Sequence, residues 1–244
     1  MLGHQLIIVS DAHLGDGAAG TEDALLSFLD ALPTLGDCLL VNGDLFDFWF
    51  AWRRVIPRSS FHVVSALARL RRRLPVVMTG GNHDRWGAEF WKSELDIDFH
   101  PLAAEFQVGG RQVLAIHGDG ITENRLSARL LYQVTRHPAT IAIFRALHPD
   151  FGFWLVDRMT HGLGNAVLDP VVLERAAERQ RRWAETRLRE DPALGLVVMG
   201  HTHRPAATEP APGRHYLNPG AWFDGFRYGV ATGATVQLRR FATG

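Results

Sequence analysis

The strongest constraint in the sequence is a recurrence: five short apolar runs each lead into an Asp, Asn or His, most often beside glycine. Leu6 to Ser10, Cys38 to Val41, Val76 to Thr79, Val113 to His117 and Leu196 to Met199 are the runs. They lead into Asp11-Ala12-His13, Gly43-Asp44, Gly81-Asn82-His83-Asp84, His117-Gly118-Asp119 and Gly200-His201-Thr202-His203. Continuous apolar runs of this length suit strands covered on both faces. Helical patterns separate several of them. Thr21 is placed to cap a helix with Leu25, Leu26, Phe28, Leu29 and Leu32 on its apolar face, ending before Pro33, and Ser60 to Arg73 repeats the arrangement. The alternation predicts a layered α/β core. In an open α/β sheet the crevice outside the strand carboxyl ends receives ligands, so the five motifs should converge on one site.

Together the motifs offer carboxylates (Asp11, Asp44), an amide oxygen (Asn82) and imidazoles (His13, His117, His201, His203). Oxygen and nitrogen donors without thiolate suit Mn²⁺, Fe²⁺ or Zn²⁺ rather than Ca²⁺ or an iron–sulfur cluster. Seven donors are too many for one catalytic ion that keeps open positions. Two ions sharing a bridging carboxylate account for them, and such pairs, roughly 3.5 to 4 Å apart, clamp both oxygens of an in-line displacement at phosphorus. The glycines before Asp44, Asn82 and His201 allow sharp turns and close approach.

This ordered set resembles the calcineurin-like metallophosphoesterase superfamily, from Leu6 to about Gly220. The resemblance implies a two-sheet α/β sandwich flanked by helices. It also implies one metal held by Asp11, His13, Asp44 and His203, and a second held by Asp44, Asn82, His117 and His201. His83 would contact the scissile phosphate and protonate the leaving oxygen, Asp84 would orient its imidazole, and a water or hydroxide between the ions would attack. Within the superfamily, Asp44-Leu45-Phe46-Asp47-Phe48-Trp49-Phe50 and Gly200-His201-Thr202-His203-Arg204-Pro205-Ala206 resemble the UDP-2,3-diacylglucosamine pyrophosphatases of lipid A synthesis. That family cleaves an acylated UDP-sugar to UMP and the acyl-sugar 1-phosphate, typically with Mn²⁺. Asn82, His83, Glu123, Asn124, Arg125 and Tyr132 would touch the substrate. His83 stands where the best-known branch has Arg, and Arg53, Arg54 and Arg58 replace an acidic stretch. These differences indicate a divergent branch. Asp47 reads as support for the site rather than as a ligand.

Between the fourth and fifth motifs, about 121 to 191, no strand is evident and the pattern is helical. We read the chain as a single domain, 1–244, carrying this segment as a helical cap insertion. Its apolar and aromatic side chains, Ile141 to Met159, either pack onto the core or line a groove for acyl chains. Acidic and basic residues balance at 26 each, leaving no global field for nucleic acid. In the Arg179, Arg181, Arg182 run, Glu174, Glu178 and Glu185 interleave at helical spacing, as on a solvated face. Nucleic acid is therefore not an expected partner. The lone Cys38 and the lack of a basic leader before Leu6 point to a reducing, cytoplasmic setting. No apolar run approaches the roughly 18 to 20 residues of a membrane span. Peripheral contact with the inner face of a membrane fits a diacyl substrate. Two rivals stand beside this reading. One is a phosphoesterase for a small soluble nucleotide or phosphodiester. The other is a catalytically silent binding module, against which all seven donor positions and His83 are filled.

Overall fold

Side-chain alternation along β1 (Gln5–Val9) builds the layers. Leu6 and Ile8 face one way, Ile7 and Val9 the other, and all four are buried. The computed structural model describes residues 1–15, 20–122, 130, 133–163 and 170–242. β1 lies in a six-stranded sheet, beside β2 (Cys38–Asn42), β3 (Val76–Thr79) and β4 (Asp98–His100), all four parallel. On its other side β10 (Arg227–Thr232) and β11 (Val236–Arg240) continue the sheet antiparallel. The second sheet has five strands in the order β5 (Ala103–Val108), β6 (Arg111–Ile116), β7 (Leu194–Val198), β9 (Arg214–Asn218) and β8 (Ala206–Ala211). Within it β6, β7 and β9 are mutually parallel.

Leu6, Ile8, Leu40 and Val77 from the first sheet meet Val113, Ala115, Leu196, Val198 and Leu217 from the second. The outer face of the first sheet, with Ile7, Val9, Leu39, Val41 and Met78, is covered by α1 (Thr21–Leu35) and α2 (Phe61–Arg71) through Phe28, Leu32, Leu67 and Leu70. The outer face of the second, with Leu114, Val197, Met199 and Tyr216, is covered by Ala184 and Leu188 of α7 (Pro170–Glu190). The result is a two-sheet α/β sandwich flanked by helices, as the resemblance implies.

Some boundaries move. Left-handed Gly20, not Thr21, is the N-cap of α1, and the helix continues through Pro33 to Leu35. A proline near a C-terminus removes only its own N–H and crowds the preceding turn, and Gly36 N–H still reaches Leu32 O at 3.0 Å. Helix α3 (Ala88–Leu95) and strands β4, β5 and β8 lack the apolar runs that marked the other elements.

The segment between β6 and β7 contains α4 (Asp119–Thr122), α5 (Pro138–Ala146), α6 (Pro149–Leu163) and α7. Its parts pack differently. α7 belongs to the sheet-covering layer. α5 and α6 instead lay Phe144 and Phe153 against Phe48, Phe50 and Trp52, with ring centroids 4.8 Å apart for Phe50–Phe144 and 5.1 Å for Phe48–Phe153. Trp86 Nε1 ties the same region down by donating to Thr135 O.

Candidate metal centre

All five motifs leave the carboxyl ends of parallel strands: β1, β2 and β3 in one sheet, β6 and β7 in the other. The two sheets therefore contribute separate halves of one cluster. Asp11, His13, Asp44, His201 and His203 all have positive φ, between 47° and 67°. Side chains with a Cβ avoid this region, and residues held there gather at functional sites. Gly43, with φ 80°, makes the turn into Asp44. Gly81 serves close approach, since a Cβ there would lie 2.0 Å from Asp44 Oδ1.

Three groups of donor atoms lie within 4.8 Å of one another: Asp11, His13 and His203; His13, Asp44 and His83; Asp44, His117 and His201. Asp11, Asp44 and His117 are fully buried. His117 Nδ1 donates to Asn42 O at 3.0 Å, which turns Nε2 toward Asp44 Oδ2 at 3.1 Å. His13 Nδ1 faces Asp47 Oδ1 at 3.1 Å, so His13 Nε2 looks toward His203 Nε2 at 3.3 Å and Asp44 Oδ2 at 3.8 Å. His203 Nε2 is 3.3 Å from Asp11 Oδ1, and His201 Nδ1 is 3.0 Å from Asn82 Oδ1. With Nδ1 protonated, neutral His117 and His13 present lone pairs to carboxylate oxygens or to another imidazole. Only a proton or a cation between them resolves such facing acceptors.

The electrostatics follow from this crowding. Burial works against the charge on Asp44, but the His117 imidazole, by charge and hydrogen bond, holds its carboxyl far below the usual range. Burial also opposes ionisation of Asp11, and the hydrogen bond with His203 brings its pKa below the ordinary value. His117 is pushed up to about 10, because Asp44 overrides the effect of burial. His201 goes the other way, to about 4, through burial and the neighbouring charge of His117.

Asp84 does not orient the His83 imidazole. The carboxylate is buried under the strand ends and accepts from the backbone N–H groups of Gly81 (2.8 Å), Leu45 (2.7 Å) and Asp44 (3.2 Å). It thus ties the third motif to the second. His83 is oriented by a backbone carbonyl instead, with Nδ1 2.6 Å from Asp47 O, while its own N–H donates to Asp44 Oδ1 at 2.9 Å. Glu123, Asn124, Arg125 and Tyr132 lie outside the described residues. A contact that the motifs did not signal joins Asp119 to Arg85 and, at 3.5 Å, to Arg136. It links the third and fourth motif loops to the start of the insertion.

The fold and the edge cluster of acids and imidazoles define a metallophosphoesterase. Residues 4–205 match the calcineurin-like phosphoesterase family, and the chain belongs to it. A UDP-2,3-diacylglucosamine hydrolase of Porphyromonas gingivalis is 24% identical over a 257-residue alignment covering 96% of both proteins. Namesakes from Bordetella parapertussis (26% identical, 82% of this chain and 78% of that protein) and Shewanella baltica (21%, 89% of each) are also similar. Among solved structures, a dimetal phosphatase from Danio rerio shares the fold, with a TM-score of 0.52 at 12% identity, over 98% of this chain and 99% of that one.

Proposed function

We propose that the chain hydrolyses the pyrophosphate bond of UDP-2,3-diacylglucosamine, releasing UMP and 2,3-diacylglucosamine 1-phosphate. The observation that carries this reading is end-to-end similarity to a hydrolase of that name, joined to a filled set of donor positions. The donor set suits two divalent ions, Mn²⁺ in the first place. Asp11, His13, Asp44 and His203 would hold one, and Asp44, Asn82, His117 and His201 the other. Bound ions of this kind polarise phosphoryl oxygens and activate water for in-line attack.

The protein's own groups do the rest. Asp47 and Asn42 fix the tautomers of His13 and His117, so that each presents Nε2 to the cluster. His83, held through Nδ1 by Asp47 O, keeps Nε2 for a phosphoryl or leaving oxygen. Asp84 holds the backbone of the second and third motifs in register. The insertion would act as a cap within the single domain, offering Phe48, Trp52, Phe144 and Phe153 to acyl chains. Each methylene buried there contributes about 0.8 kcal/mol. Among the described residues no helix is long and apolar enough to cross a membrane. Exposed Ile143, Phe151 and Trp154 of the insertion, with exposed Arg53 and Arg54, would make peripheral contact with an anionic membrane face.

One observation favours a second reading, a small soluble phosphodiester substrate: Phe50 and Trp52 are already buried against Phe144. UMP release by purified protein with and without Mn²⁺ separates the two, using the diacyl substrate, its deacylated counterpart and bis-p-nitrophenyl phosphate. Metal-dependent release that strongly favours the diacyl substrate is expected. Hydrolysis of only the generic diester would remove the lipid assignment.

A further inference from the structure

Helix α7 covers the second sheet, yet midway along it lies a fully buried amide, Gln180. Its Nε2 donates to Gly200 O at 3.1 Å and its Oε1 accepts from Thr202 Oγ1 at 3.1 Å. Gly200 and Thr202 alternate with His201 and His203 in the loop after β7. Asn218, also buried, completes the cluster: its Nδ2 lies 3.0 Å from Gly200 O, 3.2 Å from Thr202 Oγ1 and 3.4 Å from Gln180 Oε1. The same Gln180 amide rests on the loop after β6, where a Cβ at Gly118 would stand 2.3 Å from Nε2. One side chain from the insertion therefore abuts both loops that carry the second sheet's imidazoles, His117 on one side and His201 and His203 on the other.

We infer that Gln180 is a positioning residue, which sets the backbone of the His201 to His203 loop and so couples the helical insertion to the metal centre. This rests on the two-ion reading of the site. Both anchors, the Gly200 carbonyl and the Thr202 hydroxyl, lie in a loop whose ligand-bearing residues occupy left-handed φ. Such a loop relaxes when its fixed partners are lost, because nothing intrinsic to His201 or His203 favours that conformation. Groups that orient ligands in this way typically change metal affinity about 10- to 100-fold.

The test is Co²⁺ binding to the full-length, metal-free protein, followed by visible absorption, for Gln180→Met, Thr202→Val and Leu188→Ala. Leu188, buried two turns further along the same helix in the apolar cluster with Leu114, Val197 and Tyr216, gives a variant that reports general destabilisation. Gln180→Met and Thr202→Val are expected to weaken Co²⁺ binding by about 10-fold or more and to alter the d–d spectrum. Leu188→Ala should lower Tm and leave the spectrum unchanged. Wild-type affinity and spectrum in both polar variants would overturn the inference, as would an equal loss in Leu188→Ala. If Gln180→Met does not fold, Thr202→Val decides alone. Asp44→Ala keeps the underlying reading separate: equal Co²⁺ binding by that variant and the wild type would overturn the two-ion assignment itself.

Discussion

His117 shows how much of the site's chemistry one tautomer decides. Donating Nδ1–H to Asn42 O leaves Nε2 against the Asp44 carboxylate, and in the metal-free protein a proton fills the gap, with a pKa of about 10. A group raised from 6.5 contributes stability that is complete below 6.5 and is lost as pH rises through 10. Metal-free protein should therefore become less stable between neutral pH and pH 10, and metal should bind with release of about one proton. Titration calorimetry in buffers of different ionisation enthalpy measures that proton. Its absence would mean that His117 is already neutral. Asp44 reaches His117, His13 and the His83 backbone at once, so Asp44→Ala should abolish metal-dependent turnover; near-normal rates would remove its bridging role. His83→Ala should instead lose on the order of 10² to 10⁴ in kcat while binding metal normally, since the proposed reaction assigns it the proton for the leaving oxygen. Loss of metal in that variant would make His83 structural.

Among elements, those that carry the motifs were the legible ones. β1, β2, β3, β6 and β7 each carry a continuous apolar run because layers lie on both faces, and each ends within a residue or so of its sequence-read position. Edge strands β4 and β8 have half-exposed, polar sequences such as Asp98-Phe99-His100 and Ala206 to Ala211, and no run announces them. Gln180 was hidden for a different reason. It sits in an Arg and Glu run whose outer face is paired, Arg181 and Arg182 both reaching Glu178. Only its spacing with Ala184 and Leu188, four residues each, marks the buried stripe. Asp84 was legible as a site residue but not in its partners, because sequence neighbours do not reveal that a carboxylate turns under the strand ends. The aromatic wall formed by α5, α6 and the loop after β2 carries an expectation of its own. Trp52→Ala should raise KM for the diacyl substrate and leave bis-p-nitrophenyl phosphate turnover unchanged. Equal loss on both substrates would assign Trp52 to the frame of the site.

Over the whole molecule, the candidate ligands are divided between two sheets whose facing sides pack Leu6, Ile8, Leu40 and Val77 against Val113, Ala115, Leu196, Val198 and Leu217. Asp11, His13, Asp44 and Asn82 come from the first, His117, His201 and His203 from the second. Bound ions would thus staple the sandwich across its seam. Each should add about 2.7 kcal/mol at a free concentration 100-fold above its dissociation constant. Since about 2–4 °C of Tm accompany each kcal/mol in a chain of this size, calorimetry with a chelator should show a fall of roughly 10–20 °C when both ions are removed. An unchanged Tm would mean that the ions bind without drawing on both sheets. The left-handed backbone at Asp11, His13, Asp44, His201 and His203 has an evolutionary consequence. The Asp11 and Asp44 carboxylates also accept backbone N–H groups, but at His13, His201 and His203 the backbone would be more comfortable as glycine, so selection for durability and selection for turnover oppose each other there. A descendant released from catalysis would drift toward glycine at those three histidines and grow sturdier, leaving in its sequence the imprint of a retired enzyme.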